Sequence, residues 1–489
     1  MSDGSGRVHG NYYSNEAVIA AILGTENGVR YISTKKSTET FSFSQAALAG
    51  LAPDGGLFIP QAIPVYGESV KKSLHSMAFL EVALETIRPY VEGEIPGPTL
   101  EDLCAGAFSF AAPLVQVESE DQSTPLVLEL FHGPTAAFKD FGARFMARTF
   151  SWLRRGEDRP LRILVATSGD TGGAVADGFF GIEGISVTIL YPKGRVSELQ
   201  EKQIAGLGGN ISALAVEGNF DDCQSLVKAA FGDSALQKQV VLSSANSINI
   251  SRLIPQAVYY AAAAGKARVG FWDSDGDATP RAVQPAARAS PTAAGTPRPV
   301  TICVPSGNFG NLTAGLYALS MGAPITTLVA ATNINKTVPD YLESGEYQTR
   351  LSQETISNAM DVGAPSNFER MTAHWDIAQL RRMILGFSVT DDETRQTMAA
   401  VYRNYGYYTD PHSAVGWTAV QKLSAGPAVP GAMIVAATAH PAKFSETAEN
   451  ITGPVPIPAS IEKAMNRTAR ALTIPPDISV LRDFLLSKP

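Results

Sequence analysis

The sequence predicts an α/β fold built on parallel sheets. Three observations carry this: short apolar runs that are continuous rather than alternating, helix-length stretches between them, and small-residue loops directly after several of the runs. A strand covered by helices on both faces loses the apolar/polar alternation of a half-exposed one, which is the signature of a parallel sheet. The runs are LRILVAT (161–167), SVTILYP (186–192), ISALAVE (211–217), VTICVPS (300–306), ITTLVAAT (325–332) and AMIVAAT (432–438).

The 489 residues are 45% hydrophobic, enough for about three domains at roughly 150 residues each. Residues 1–125, with the turn-like PDGGLFIP (53–60) and a helical pattern at 76–90, read as a separate N-terminal region. Residues 126–270 and 300–489 then form two α/β domains. Between them, 271–299 reads as a flexible insertion, because 273–299 holds seven Ala and five Pro with few large apolar side chains.

Charge excludes several classes of function. Lys and Arg number 39 against 47 Asp and Glu, a net charge of -8, so there is no broad basic surface for nucleic acid or anionic lipid. The apolar segments 253–265 and 429–439 are too short to span a bilayer. Cys104, Cys223 and Cys303 are widely spaced, without the pattern of a disulfide framework or zinc knuckle, and the six histidines show no metal-binding spacing. The expectation is a cytoplasmic protein that binds no metal, nucleic acid or membrane, and holds any anionic ligand locally.

Three segments could carry chemistry. TSGDTGGA (167–174) and PSGNFGN (305–311) each place small residues between an apolar strand and a helix, where unpaired backbone N–H groups and a positive helix end receive an anion. Ordinary tight strand-to-helix turns would read the same way, and neither loop matches a Walker motif or G-x-G-x-x-G. In HGPTAAFKDFGARF (132–145), Lys139 stands between Phe138 and Asp140 with Phe141 next. Desolvation beside two rings would free a neutral, nucleophilic amine, whereas a solvated Lys–Asp surface pair would do nothing. A Schiff-base lysine and a phosphate-holding loop are together the two anchors that pyridoxal phosphate needs.

These segments, with YISTKK (31–36), GLAPDGGLFIP (50–60), YPKGRVS (191–197), NSINISRLIPQ (246–256) and TAHPAKF (438–444), resemble the longer-chain branch of the threonine synthase family, pyridoxal-phosphate enzymes with the tryptophan synthase β-subunit fold. The resemblance covers most of the chain outside the insertion. It implies fold type II, two doubly wound parallel-sheet domains with an additional N-terminal region. It also implies conversion of O-phospho-L-homoserine and water to L-threonine and phosphate by a monomer or weak homodimer.

By that resemblance Lys139 forms the Schiff base, Gly307, Asn308, Phe309, Gly310 and Asn311 wrap the coenzyme phosphate, and Thr438 meets the pyridine nitrogen. Thr438 would also serve as a strand-end hydroxyl capping a helix over 442–450. Thr167, Ser168, Asp170 and Thr171 are assigned to the substrate carboxylate and the 3-oxygen side of the coenzyme. A carboxylate at Asp170 would repel the substrate's own unless it faces a cation or is protonated, and a helix N-cap is the other role open to it. Asn246, Ser247 and Arg252 match the substrate-phosphate site, with Thr34 and Lys35 joining it. Two alternatives remain: a phospho-lyase on the same scaffold releasing 2-oxobutyrate, and a non-catalytic binding protein, which would lack the coenzyme's colour.

Overall fold

The computed structural model describes residues 28–35, 38–117, 124–157, 159–270, 298–426 and 430–487. The expected insertion at 271–299 lies almost wholly outside the described residues, as does His9. In chain order the strands are β1 (Tyr31–Ser33), β2 (Phe58–Pro60), β3 (Leu114–Gln116), β4 (Leu126–Glu129), β5 (Leu161–Ala166), β6 (Ile185–Pro192), β7 (Ile211–Val216), β8 (Val241–Ser244), β9 (Val300–Pro305), β10 (Thr327–Thr332), β11 (Ile384–Ser388), β12 (Ala432–Ala437) and β13 (Ala471–Ile474).

All six expected runs are parallel strands, and each is buried at four or more of its residues. They fall into two sheets. The larger has the order β11-β10-β9-β12-β4-β3, with only the edge strand β3 antiparallel. The smaller has the order β13-β7-β6-β5-β8 and is parallel throughout. Two strands cross the expected domain boundaries. β4 follows the N-terminal region yet pairs with β12, and β13, near the end of the chain, returns to pair with β7. Pairing register and shared burial, not chain proximity, decide sheet membership.

Each sheet reverses its winding once. In the smaller sheet the chain runs β5, β6, β7 in one direction and then places β8 on the other side of β5; in the larger, β9, β10, β11 run one way and β12 falls between β9 and β4. Ligands in open parallel sheets bind beyond the strand carboxyl ends at such switch points. The loops that leave these points are 167–171, 245–249, 306–311 and 438–440.

The expected helix at 76–90 is Phe79–Val91, and β1 pairs antiparallel with β2 in the N-terminal region. That region packs onto the helix Lys139–Leu153 through an aromatic group, in which Phe141 meets Phe110 edge-on at 4.7 Å and Tyr259 at 5.1 Å. The helix carrying Lys139 is thereby fixed by its buried face. All three cysteines are free and buried, and burial pushes the Cys104 and Cys223 thiols up to about 12. No helix among the described residues is long and apolar enough to cross a membrane.

Candidate active site

The chain leaving β4 is sewn to the end of β12. Phe138 N–H donates to the Thr438 carbonyl (2.9 Å), His440 N–H donates to the Ala136 carbonyl (3.0 Å), and Ala137 bridges Ala439. Holding this path forces Ala136 to φ 54°, left-handed for a residue with a Cβ. Such conformations cost energy and persist only where surrounding contacts over-determine them. The effect is to start the Lys139 helix beside Thr438.

Asp140 is not the partner of Lys139. It turns back to accept from Thr135 N–H (2.9 Å) and Thr135 Oγ1 (2.5 Å), with Gly133 leaving the room: a Cβ there would lie 2.3 Å from Asp140 Oδ2. Burial raises this carboxyl to about 6. Phe141 belongs to the aromatic core, and among the described residues the ring under the amine is Phe138, its centroid 5.2 Å from Lys139 Nζ.

Lys139 Nζ reaches instead across to the other sheet, 3.2 Å from Asp170 Oδ2. Burial lowers the amine's pKa, Asp170 works against that, and Lys443 and Arg252 add to the lowering; the net direction is down. The cation that Asp170 requires is thus supplied twice. Lys443 Nζ lies 2.8 Å from Asp170 Oδ1, and Gln200 Nε2 donates to the same oxygen at 3.1 Å. Burial alone would raise Asp170, but Lys139 and Lys443 outweigh it and hold the carboxyl well below its usual range. The capping role open to Asp170 falls elsewhere. Gly169 occupies the N-cap at φ 141°, and Thr167 Oγ1 accepts from Gly169 N–H (3.0 Å) and Gly172 N–H (2.9 Å). Thr167 is therefore turned inward, while Ser168 is exposed and Thr171 partly so.

The loop after β9 is built differently. Phe309 sits at φ 58°, the other non-glycine residue with positive φ among those described, and it opens the helix Gly310–Met321. Gly307 lies against the 359–360 backbone, where a Cβ would be 2.7 Å from the Ala359 carbonyl oxygen. Asn308 Nδ2 donates to Ser247 Oγ (2.6 Å), and its Oδ1 accepts from Ser366 N–H (2.6 Å). Asn311 Oδ1 accepts from the hydroxyls of Tyr259 and Tyr260, which leaves its Nδ2 buried with no partner.

Of the substrate-phosphate group, Asn246 ties its own loop to the end of β5 by donating to the Ala166 carbonyl (2.8 Å). Arg252 is 2% exposed and donates to the Ala245 carbonyl (2.7 Å), but its Nε is unpaired and it forms no ion pair among the described residues. Burial lowers its pKa to about 10. A buried guanidinium with an idle donor has a free hydrogen-bonding position, and oxyanions are its strongest partners. Thr34 and Lys35 do not join it directly. Thr34 Oγ1 bonds Glu369, and the exposed Lys35 ammonium is taken up by the Asp54 carbonyl (2.8 Å).

Thr438 does not cap the following helical segment. His440 does so, its Nδ1 accepting from Ala442 N–H (3.2 Å), and burial lowers His440 to about 4. Thr438 N–H donates to Ser413 Oγ (3.2 Å), and Ser413 in turn bonds the buried Asp410. Several contributors were missed from sequence. Lys443, Gln200, Asn367 and Arg370 come from distant segments; Asn367 Nδ2 donates to the Asn308 carbonyl (3.1 Å), and Arg370 clamps Asn367 Oδ1 (2.6 Å) and the Phe58 carbonyl (3.0 Å). Lys443 alone had a signal, its place five residues after Thr438 in a segment already singled out.

The desolvated amine and the uncharged donor loop thus both leave the larger sheet, and the 167–171 and 246–247 loops of the smaller sheet meet them. Residues 111–438 match the family described as pyridoxal-phosphate dependent enzyme, which sets the class and the coenzyme. Residues 30–108 match the threonine synthase N terminus and 413–485 the threonine synthase C-terminal family. The chain is 39% identical to threonine synthase of Escherichia coli (strain K12), over 93% of this chain and 98% of that protein, and 41% identical to that of Haemophilus influenzae, over 92% and 98%. Among solved structures it is similar to threonine synthase from E. coli (TM-score 0.80, 38% identity, covering 94% of this chain and 99% of that one). It is likewise similar to the PLP-bound enzyme from Brucella melitensis (0.81, 34%, 94% and 99%). The chain belongs to the threonine synthases, pyridoxal-phosphate-dependent lyases of fold type II, and these relatives do not favour the phospho-lyase alternative. The residues fit the coenzyme: a lysine with lowered pKa could meet its aldehyde, and the orphaned Asn311 Nδ2 at a helix N-terminus its phosphate.

Proposed function

We propose that the cleft converts O-phospho-L-homoserine and water to L-threonine and phosphate. The observation that supports this most is the convergence of the Lys139, Thr438 and 306–311 segments at the neighbouring ends of β4, β12 and β9, facing the 167–171 and 246–247 loops of the other sheet. Bound pyridoxal phosphate supplies a covalent anchor for an amine and a sink for the electrons left when an α-carbon loses its proton.

The chain's own residues do the rest. Lys139 Nζ holds the coenzyme at rest and moves the proton at the substrate's α-carbon. Gly307, Asn308, Phe309, Gly310 and Asn311 bind the coenzyme phosphate at the positive end of the Gly310–Met321 helix. Thr438 orients the ring nitrogen with a hydroxyl, which does not fix a proton there as a carboxylate would. Ser168 and Thr171, backed by Thr167, bind the substrate carboxylate at the start of the Asp170–Phe179 helix. Asn246, Ser247 and Arg252 grip the substrate's phosphate, and the phosphate they retain after elimination orients water toward the β-carbon. The resemblance assigns Thr34 and Lys35 to the same phosphate. Losing the Arg252 charge removes a charge-assisted hydrogen bond of roughly 1.5 to 3 kcal/mol, about 10- to 150-fold in kcat/KM.

This reading carries with it a cytoplasmic monomer or weak homodimer. Incubating the holoenzyme with phosphohomoserine tests it. Threonine and phosphate in equal amounts are expected; 2-oxobutyrate, or no product, overturns the reading.

A further inference from the structure

Lys443 is the one lysine among the described residues whose side chain is wholly excluded from solvent, at 0% exposure. A lysine is almost never so buried unless paired. Its ammonium has two partners, Asp170 Oδ1 and the Thr135 carbonyl, both at 2.8 Å. Asp170 therefore carries a lysine on each oxygen: Lys139 on Oδ2 and Lys443 on Oδ1. The other groups facing the cluster are Gln200 on Oδ1, Arg252 beside Lys139, Asp140 beside Lys443 and Arg252, His440 beside Lys443, and His412 beside Asp170.

Two lysines and one carboxylate in a dry site cannot all keep their charges equally well. Lys443 is wholly excluded from solvent, whereas the Lys139 side chain is 15% exposed. We infer that Lys443 is a positioning residue for the reaction: by holding Asp170 as its own partner it frees Lys139 to meet the coenzyme as a neutral amine. This inference rests on Lys139 being the Schiff-base lysine. The condensation joins the amine nitrogen to the aldehyde carbon with loss of one water, and only the unprotonated amine reacts. The lowered pKa of Lys139 agrees with this, and Lys443 is among its causes.

The test is the rate at which coenzyme-free protein captures pyridoxal phosphate, followed by absorbance from neutral to alkaline pH. Lys443→Gln keeps donors to Asp170 and Thr135 but removes the charge. It is expected to slow capture at neutral pH by about tenfold or more, one pKa unit being tenfold in neutral amine, and to move the pH profile upward. Lys443→Arg, which keeps the charge, leaves the profile in place. Asp170→Asn moves it downward, and the double variant falls between the two single ones.

An unmoved profile in Lys443→Gln, an equal shift in the Gln and Arg variants, or a double variant as slow as Lys443→Gln alone overturns the inference. Should Lys443→Gln fail to fold, Lys443→Met, which keeps the length of the side chain and removes the charge, decides: an upward shift supports it, no shift overturns it. Failure of the unaltered protein to capture the coenzyme would overturn the assignment of Lys139 itself.

Discussion

The loops after β5 and β9 have the same appearance in sequence, small residues between an apolar strand and a helix, yet they hold opposite electrostatic environments. The first turn of the β5 helix carries Asp170, whose charge is balanced by lysines from two other segments. The first turn of the β9 helix has no acidic residue; it offers neutral amides, a left-handed Phe309 and an unpaired Asn311 Nδ2. A phosphate dianion brought to the first loop meets a fixed carboxylate, and brought to the second it meets no carboxylate in the helix's first turn. A helix N-terminus is therefore half of an anion site, and the charge of its first turn decides what it accepts.

The largest effect is expected at the amine both loops serve. Lys139→Ala should cost a factor of about 10² to 10⁴ in turnover from loss of the base alone, and abolish the absorbance of the lysine-bound coenzyme. Moving a charge between the loops breaks the comparison directly. Asn308→Asp sets a carboxylate against the coenzyme phosphate, and like charges about 4 Å apart at the effective dielectric of a protein surface repel by up to about 4 kcal/mol, so coenzyme affinity should fall by about 100-fold or more. Asp170→Asn should leave phosphate binding largely intact, and an equal loss in both variants would contradict the distinction.

The two buried carboxylates on the charged side should also separate by pH. Asp140, raised to about 6, binds its proton more tightly folded than unfolded, so its contribution to stability is full below about pH 4 and is lost as pH rises through 6. Asp170, depressed, works in the opposite sense: its contribution is present above the unfolded value and is lost as pH falls. The stability gap between Asp140→Asn and the unaltered protein should shift in the variant's favour by about 2 to 3 kcal/mol from pH 4 to 6, read as denaturant midpoints. A flat gap contradicts it. On the neutral side Gly307→Ala meets backbone atoms of 359–360, which cannot swing aside, and should cost about 1 to 3 kcal/mol of stability with weakened coenzyme binding.

Much of the fold was legible because strands buried on both faces write themselves as unbroken apolar runs. β8 (VLSS) and β13 (ALTI) have only four residues each, too few for a period, and β13 finds its partner 258 positions back, at β7. The three loops were legible from small residues and the lone lysine. The charges around them were not. Lys443, although it lies in a segment already singled out, reads locally as a solvated residue and is buried only because folding brings it to a carboxylate 273 positions away. Asp140, adjacent to Lys139, looked like its partner; the strained turn at Ala136 points it elsewhere.

Borohydride reduction of the holoenzyme followed by peptide mapping tests the central claim most directly. The account predicts the reduced coenzyme on Lys139 and nowhere else. Label on Lys443 or Lys35, or none at all, would contradict it.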